Sequence, residues 1–186
     1  MLVVAVTGLP GSGKSTVSLE LSRGLSAPLY VMGDLVREEV ARRGLPLTAE
    51  NVELVATDLR RAYGRGAVGR LLLERLRELI AEYVVVDGVR SPEEVEALRG
   101  LAPTCVVAVH AAPAIRLRRY LSRSRQGETD VNSFSLRDRK NLEYGVGEVI
   151  ALADYMVVNE GGLDELRSQV AALVEVIRGG DWKGRC

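Results

Sequence analysis

Nine residues near the start of the chain, Gly8-Leu9-Pro10-Gly11-Ser12-Gly13-Lys14-Ser15-Thr16, constrain its fold more than any other feature. They match G-x-x-x-x-G-K-[ST], a pattern whose glycines let successive backbone N–H groups turn toward one anion. The apolar run Leu2–Val6 enters the segment, and Val17, Leu21 and Leu25 follow it at helical spacing. The loop therefore joins a strand to a helix, and the helix adds its positive end to the same field. Lys14 is placed to reach β- and γ-phosphates. Ser15 offers a hydroxyl to a Mg²⁺ bridging them, and Thr16 lies near a more distal phosphate oxygen. The segment implies a bound nucleoside triphosphate.

Four further apolar runs recur along the chain: Leu29–Val31, Tyr83–Val86, Thr104–Val109 and Tyr155–Val158. Successive β-branched residues predict strands buried on both faces. Helical patterns alternate with them, ending in the stripe Leu163, Leu166, Val170, Leu173, Val174, Ile177. Ser91-Pro92-Glu93-Glu94 reads as a capping box, and Gly44, Gly64, Gly100 and Gly179 stand where helices should stop. Strands alternating with helices predict one α/β domain with a mainly parallel sheet. Residues 48–81 read as one or two consecutive helices broken near Gly64–Gly66. Residues 124–133 are polar and contain glycine, as expected of a hinged lid. Aromatic residues are only 4% of the chain, so the core has to be aliphatic.

A metal held by Ser15 needs a carboxylate on its other side. Asp87 ends the run Val84-Val85-Val86 and is the candidate. Three arginine groups also follow carboxyl ends of predicted strands, where ligands bind in such sheets. In Gly33-Asp34-Leu35-Val36-Arg37, Asp34 is placed to cap a helix and to expose Arg37. Asp87-Gly88-Val89-Arg90 puts a cation just beyond the metal carboxylate. Arg116, Arg119 and Arg123 share a helical face, with Arg125 after them and Arg137 beyond the polar insertion. Phosphoryl transfer calls for several cations around the moving group. All but three of the 25 basic residues are arginine, the side chain suited to forked contact with phosphate. A heat-adapted surface carries the same excess, so each arginine has to be judged by its neighbours.

At these residues the chain resembles the adenylate kinase and dephospho-coenzyme A kinase branch of the P-loop kinases. More closely, it resembles an archaeal family of adenylate-kinase-related proteins, from Leu2 to about Leu166. The resemblance rests on the glycine-rich loop, Gly33-Asp34-x-x-Arg37, Asp87-Gly88-x-Arg90-Ser91 and Pro113-x-x-Arg116-x-x-Arg119-x-x-x-Arg123-x-Arg125. It also rests on Arg137-Asp138-Arg139 and on Ala153-Asp154-Tyr155 leading to Asn159-Glu160-Gly161. It implies a three-layer P-loop NTPase fold with a five-stranded parallel sheet in order 2-3-1-4-5. A helical acceptor-binding region would span about 33–81 and a small lid about 116–143. The donor would be ATP with Mg²⁺, bound by residues 8–16 with Ser15 and Asp87 toward the metal. Arg37 and Arg90 would grip the acceptor's phosphate, with Asp34 a candidate to orient the attacking oxygen. Arg119, Arg123 and Arg137 would close over ATP, and Asn159 would lie near its base. Lys14, Arg90, Arg123 and Arg137 would then carry the chemistry. Adenylate kinases usually place an aromatic residue and Pro-Arg after Asp-Gly, whereas this chain has Val89-Arg90.

The expected activity is transfer of the γ-phosphoryl of ATP to a small nucleotide-like acceptor, a nucleoside monophosphate before others. A dephospho-coenzyme A kinase and a nucleotide-dependent switch without kinase activity are the alternatives. The formal net charge of 0 argues against nucleic acid or an anionic membrane as partner. Cys105 reads as a small buried hydrophobe, and the two cysteines show no metal or redox spacing, as in a reducing cytoplasm. A monomer or homodimer is expected.

Overall fold

Each predicted strand is present, and all five pair in parallel. The structure, a computed structural model, describes residues 1–122 and 130–186. The strands are β1 (Leu2–Thr7), β2 (Leu29–Val31), β3 (Tyr83–Asp87), β4 (Thr104–His110) and β5 (Tyr155–Val158), in the order β2-β3-β1-β4-β5. The described helices are α1 (Lys14–Leu25), α2 (Met32–Arg42), α3 (Ala49–Tyr63), α4 (Ala67–Leu76), α5 (Pro92–Arg99), α6 (Pro113–Ser122), α7 (Val131–Tyr144), α8 (Val146–Ala151) and α9 (Leu163–Gly179).

Period-two alternation divides each central strand between two cores. From β1, Leu2, Val4 and Val6 face α1 and α9. Val3 and Ala5 face the layer that contains α2, α3, α4 and α5. The predicted burial on both faces holds for β1, β3 and β4, where side chains such as Val4, Val85 and Val107 are fully enclosed. It does not hold for β2 and β5. These are the sheet's edges, with one strand neighbour each, and Met156 and Val158 are exposed. Enclosing each central valine contributes roughly 1.5–3 kcal/mol of apolar transfer, so the middle of the sheet is its rigid part. The loops at its carboxyl edge are aimed from there.

The helix signals hold with two differences. Gly64 and Gly100 cap α3 and α5, and Ser91 caps α5 by accepting from the Glu94 N–H at 3.2 Å. The Glu94 side chain does not complete the capping box on Ser91. It reaches one residue further back and accepts from the Arg90 N–H at 2.7 Å. Asp34 is not a cap either. Val31 holds that position and Asp34 lies inside the first turn of α2.

The reading of the cysteines as reduced thiols is corrected. Cys105 is fully buried among the apolar residues facing α1 and α9, as expected, but it is bonded to Cys186. A turn after α9, closed by the Cys186 N–H on the Trp182 carbonyl at 3.1 Å, carries the last residue back to β4. Among the described residues, no helix is long and apolar enough to cross a membrane.

Candidate active site

The register of the sheet builds the site. Val6 of β1 pairs with Asp87 of β3, and neighbouring strands run about 4.8 Å apart, so the loops leaving both strands emerge side by side. The Gly88 N–H donates to the Val6 carbonyl at 2.9 Å. The Thr7 hydroxyl donates to the Val89 carbonyl at 2.8 Å, which stitches the two loops together at their roots.

Residues 8–13 form the expected loop between β1 and α1, and Lys14, Ser15 and Thr16 make the first turn of the helix. Gly13, at φ 94°, precedes the first turn of α1, and a side chain there would run into the Asn159 amide. At Gly11, φ 79°, an added Cβ would lie 2.5 Å from the Arg116 carbonyl oxygen. Both positions need left-handed backbone and a close neighbour, and only glycine allows the two together. Ser12 is fully buried and its hydroxyl has no hydrogen-bond partner among the described residues. Ser15 is exposed at the first turn of α1.

The loop is held from outside by two side chains. Asn159, at the end of β5, donates from Nδ2 to the Ser12 carbonyl at 2.8 Å. Its own carbonyl accepts from Arg119 Nη1 at 2.8 Å, and its Oδ1 from Arg119 Nη2 at 3.3 Å. Arg116 donates to the Pro10 carbonyl at 3.0 Å and clasps Asp138 of α7 through both terminal nitrogens, at 2.7 and 2.6 Å. Arg116 is 4% exposed. Arg116 and Arg119 both reach the loop side, Arg119 through Asn159, and Arg116 is spent as a buried brace between loop and α7. Asn159 lies against the loop, with its amide engaged by Ser12 and Arg119.

Asp87 is 4% exposed, and its Oδ1 is buried without a hydrogen-bond partner among the described residues. A buried carboxylate oxygen is costly unless something pairs with it. Among the described residues, no group of three His, Cys, Asp or Glu could cage a metal. Hard oxygen donors in small number are what Mg²⁺ uses when phosphates and water supply its other ligands. Asp87 and the Ser15 hydroxyl fit that ion.

Arg90 leads into a second group of charges. Its guanidinium makes no hydrogen bond or ion pair among the described residues, yet it lies within electrostatic range of Arg60, Glu94, Glu53 and Tyr144. Burial, then Arg60, push its pKa down, against the pull of Glu94, Glu53 and Tyr144. Glu94 is completely buried, and burial raises its pKa against the opposing charges of Arg60 and Arg90. At Glu53 burial acts upward. Hydrogen bonds from Tyr144, at 2.6 Å, and Lys140, at 3.2 Å, prevail and hold the carboxyl below its ordinary value.

Arg60 was missed in the sequence. It lies on α3, bonds Glu94 Oε1 at 3.1 Å and stands 4.3 Å above the Tyr144 ring. The signal for it is the polar stripe Glu53, Thr57, Arg60 along a helix whose other face holds Val55, Ala56 and Leu59.

The other candidates are placed as follows. Asp34 and Arg37 form an exposed ion pair with each other on α2. Arg137 is exposed on α7 and stands 5.8 Å from the Tyr120 ring of α6. Tyr120 in turn packs on Phe134, so α6 and α7 form two arms. Arg123 and Arg125 lie outside the described residues. A cleft of about 350 Å³ between α2, α3 and α4 touches none of these groups, and Glu39 already engages its Arg42 and Arg43.

Comparison with known proteins agrees with this fold. A family model described as AAA domain matches residues 7–137. The structure of shikimate kinase from Bacteroides thetaiotaomicron superposes with TM-score 0.67 over 95% of this chain and 98% of that one. At 20% identity, this shows the fold alone. A UPF0200 protein of Thermococcus onnurineus is 44% identical over 182 residues, 95% of this chain and 98% of its own. Another, from Aeropyrum pernix, is 48% identical over 182 residues, 97% of this chain and 96% of its own. Identity of that depth along almost the entire length makes this chain a member of the UPF0200 family, built on a P-loop kinase fold.

Proposed function

We propose that the chain is a kinase that moves the γ-phosphoryl of ATP to the phosphate of a nucleoside monophosphate. One juxtaposition carries the reading. The glycine-rich loop after β1, with Asp87 Oδ1 buried at the end of the neighbouring strand, lies beside a loop that offers the Arg90 guanidinium, which makes no hydrogen bond or ion pair among the described residues. The cradle suits a triphosphate, and Arg90 suits the anion of an acceptor.

In this reading Lys14 and the 8–16 amides hold the donor. Mg²⁺, bound with ATP, would be held by Ser15 and Asp87 and would neutralise charge on the β- and γ-phosphates. Arg90 orients the acceptor so that a phosphate oxygen attacks the γ-phosphorus as the bond to the β,γ-bridging oxygen breaks. ADP leaves, and no proton has to be removed from an acceptor that is already anionic. Residues 33–81 supply the acceptor region. The α6 and α7 arms form a lid, with Arg119 and Arg137 on its inner side, and closing it excludes water and suppresses hydrolysis.

Asp34 supports a second reading. A carboxylate at the carboxyl edge could take the proton of a hydroxyl acceptor, as a dephospho-coenzyme A kinase requires. Labelled ATP with Mg²⁺, offered the nucleoside monophosphates and dephospho-coenzyme A in separate reactions, tests both. Label in a nucleoside diphosphate, abolished by Lys14→Ala, is the expected result. Label in coenzyme A would transfer the assignment to the second reading. Release of inorganic phosphate alone, indifferent to every acceptor, would overturn both.

A further inference from the structure

We infer that Arg116 and Asn159 are positioning residues for the phosphate loop. Each holds one loop carbonyl and thereby turns the amide across the same peptide bond toward the ligand. This role rests on the reading of residues 8–16 as a triphosphate cradle, and not on where the phosphoryl group goes.

In a planar trans peptide, the C=O and the N–H of the next residue point in opposite directions. Arg116 Nη1 donates to the Pro10 carbonyl at 3.0 Å, so the Gly11 N–H is directed away from Arg116. Asn159 Nδ2 donates to the Ser12 carbonyl at 2.8 Å, so the Gly13 N–H is directed away from Asn159. Neither glycine N–H has a hydrogen-bond partner among the described residues, whereas the Ser12 N–H between them is spent on the Leu9 carbonyl at 3.1 Å. The two unspent donors of this stretch are therefore the two whose peptide carbonyls are braced.

The loop needs braces because its own sequence leaves the orientation open. Gly11 and Gly13 stand at φ 79° and 94°. Left-handed residues at alternate positions make the concave run of amides that takes an anion. Glycine accepts negative φ about as readily, so a glycine-rich loop can turn either peptide over at little cost. Left to itself, the loop would populate both orientations, and only one gathers the amides at a common point. A hydrogen bond to each carbonyl selects that one.

The braces are themselves fixed. Arg116 is buried, with Nε on the Ala111 carbonyl at 3.2 Å and both terminal nitrogens on Asp138. Asn159 is buried too, and its amide is held against turning over. Arg119 can only donate, so it faces Oδ1 at 3.3 Å and leaves Nδ2 to the Ser12 carbonyl. Glu160, the next residue, accepts from the Ala112 N–H at 2.7 Å and ties the end of β5 to the start of α6. Both braces belong to one hydrogen-bonded frame, and restricting the loop in advance lowers the ordering cost of binding. The Asn159 amide is thus spent on the loop rather than on a base.

Two probes separate the loop from the base: Mg²⁺ with ATP, and Mg²⁺ with inorganic tripolyphosphate, which has no base. Asn159→Leu is close to asparagine in shape but cannot donate. Calorimetry should show it binding both ligands about tenfold more weakly than the wild type. Arg116→Lys, which cannot serve Pro10, Ala111 and Asp138 together, should weaken both by a similar factor. Weaker ATP binding with tripolyphosphate unchanged in Asn159→Leu would show that Asn159 serves the base, and would overturn the proposal. Unchanged affinity for both ligands in either folded variant would overturn it as well.

A second measurement needs no variant. In the wild type, the Gly11 and Gly13 N–H resonances should move on adding tripolyphosphate with Mg²⁺. The Asn159 side-chain amide protons, bonded to Ser12 throughout, should stay in place and exchange slowly. Glycine resonances unmoved at saturation, or Asn159 protons that exchange as fast as an exposed amide, would overturn the proposal whatever becomes of the variants. The kinase reading fails separately if both ligands bind as expected and no phosphoryl is transferred. The braces then stand and the reaction does not.

Discussion

Arg116 clasps Asp138 with both terminal nitrogens, at 2.7 and 2.6 Å, and one of these nitrogens also bonds the Pro10 carbonyl. A single buried guanidinium therefore joins the phosphate loop to α7. α7 in turn reaches α3, where Tyr144 and Lys140 meet Glu53. The helix spans from the phosphate loop to α3.

Breaking that clasp has a defined cost. Arg116→Ala leaves Asp138 without its partner and the Pro10 carbonyl without a donor. Loss of one member of a buried pair costs about 3–5 kcal/mol. Urea denaturation should show a loss of that order. At temperatures where the variant is folded, it should also bind ATP more weakly. Asp138→Asn, which keeps the shape and part of the bonding, should lose less on both counts.

Asp87 is expected to trade stability for function. Its Oδ1 is buried without a hydrogen-bond partner among the described residues, so Asp87→Asn removes a costly buried charge at almost constant shape. The ligand-free variant should be at least as stable as the wild type, by up to about 1 kcal/mol, while Mg²⁺-dependent nucleotide affinity falls. Thermal melts with and without Mg²⁺ and ATP check both halves. Destabilisation of the ligand-free protein would mean that the carboxylate is structural.

Acid should expose the pair of arginines around Glu39. Hydrogen bonds from Arg42 and Arg43 lower the Glu39 pKa from the ordinary 4.5 to about 2. A carboxylate that holds its proton less tightly when folded contributes stability that is complete above the unfolded value. That stability is lost as pH falls through the folded value. Between about pH 4.5 and pH 2 the wild type should therefore lose a contribution that Glu39→Gln never had, and the two stability curves should converge. Parallel curves across that window would contradict the assignment.

The Cys105–Cys186 bond closes a long loop, with a sequence separation of 81. On the chain-entropy model, such a crosslink is worth about 4.5 kcal/mol. Cys186→Ser, or wild type under dithiothreitol, should show a urea midpoint lowered in proportion. Equal midpoints with and without reductant would show that the bond adds nothing in solution.

The legible parts of this fold were those written locally. A valine-rich run is a buried strand wherever it falls, and glycines spaced around Lys14-Ser15 build one kind of loop. Those signals located β1, β3, β4, the phosphate loop and Asp87 by residue number. Three things lay outside them. Burial of an edge strand depends on how many neighbours it has, so β2 and β5 could not be told from central strands. Glu94 satisfied the spacing of a capping box, but Arg60, 34 residues earlier, and the Arg90 N–H claimed its oxygens. The partners of Arg116 and Cys105 are set by how helices and the chain's end return to the sheet, which no local pattern records. The cluster around Glu94 and Glu53 is made of such long-range pairs, and that is why Arg60 was missed.

Phosphorus NMR of the wild-type protein with Mg²⁺, ATP and each nucleoside monophosphate in turn is the most direct measurement. Loss of the ATP γ-resonance matched by growth of the β-resonance of the acceptor's own diphosphate is the expected result. An inorganic phosphate signal growing alone, or ATP left intact with every acceptor, would contradict it.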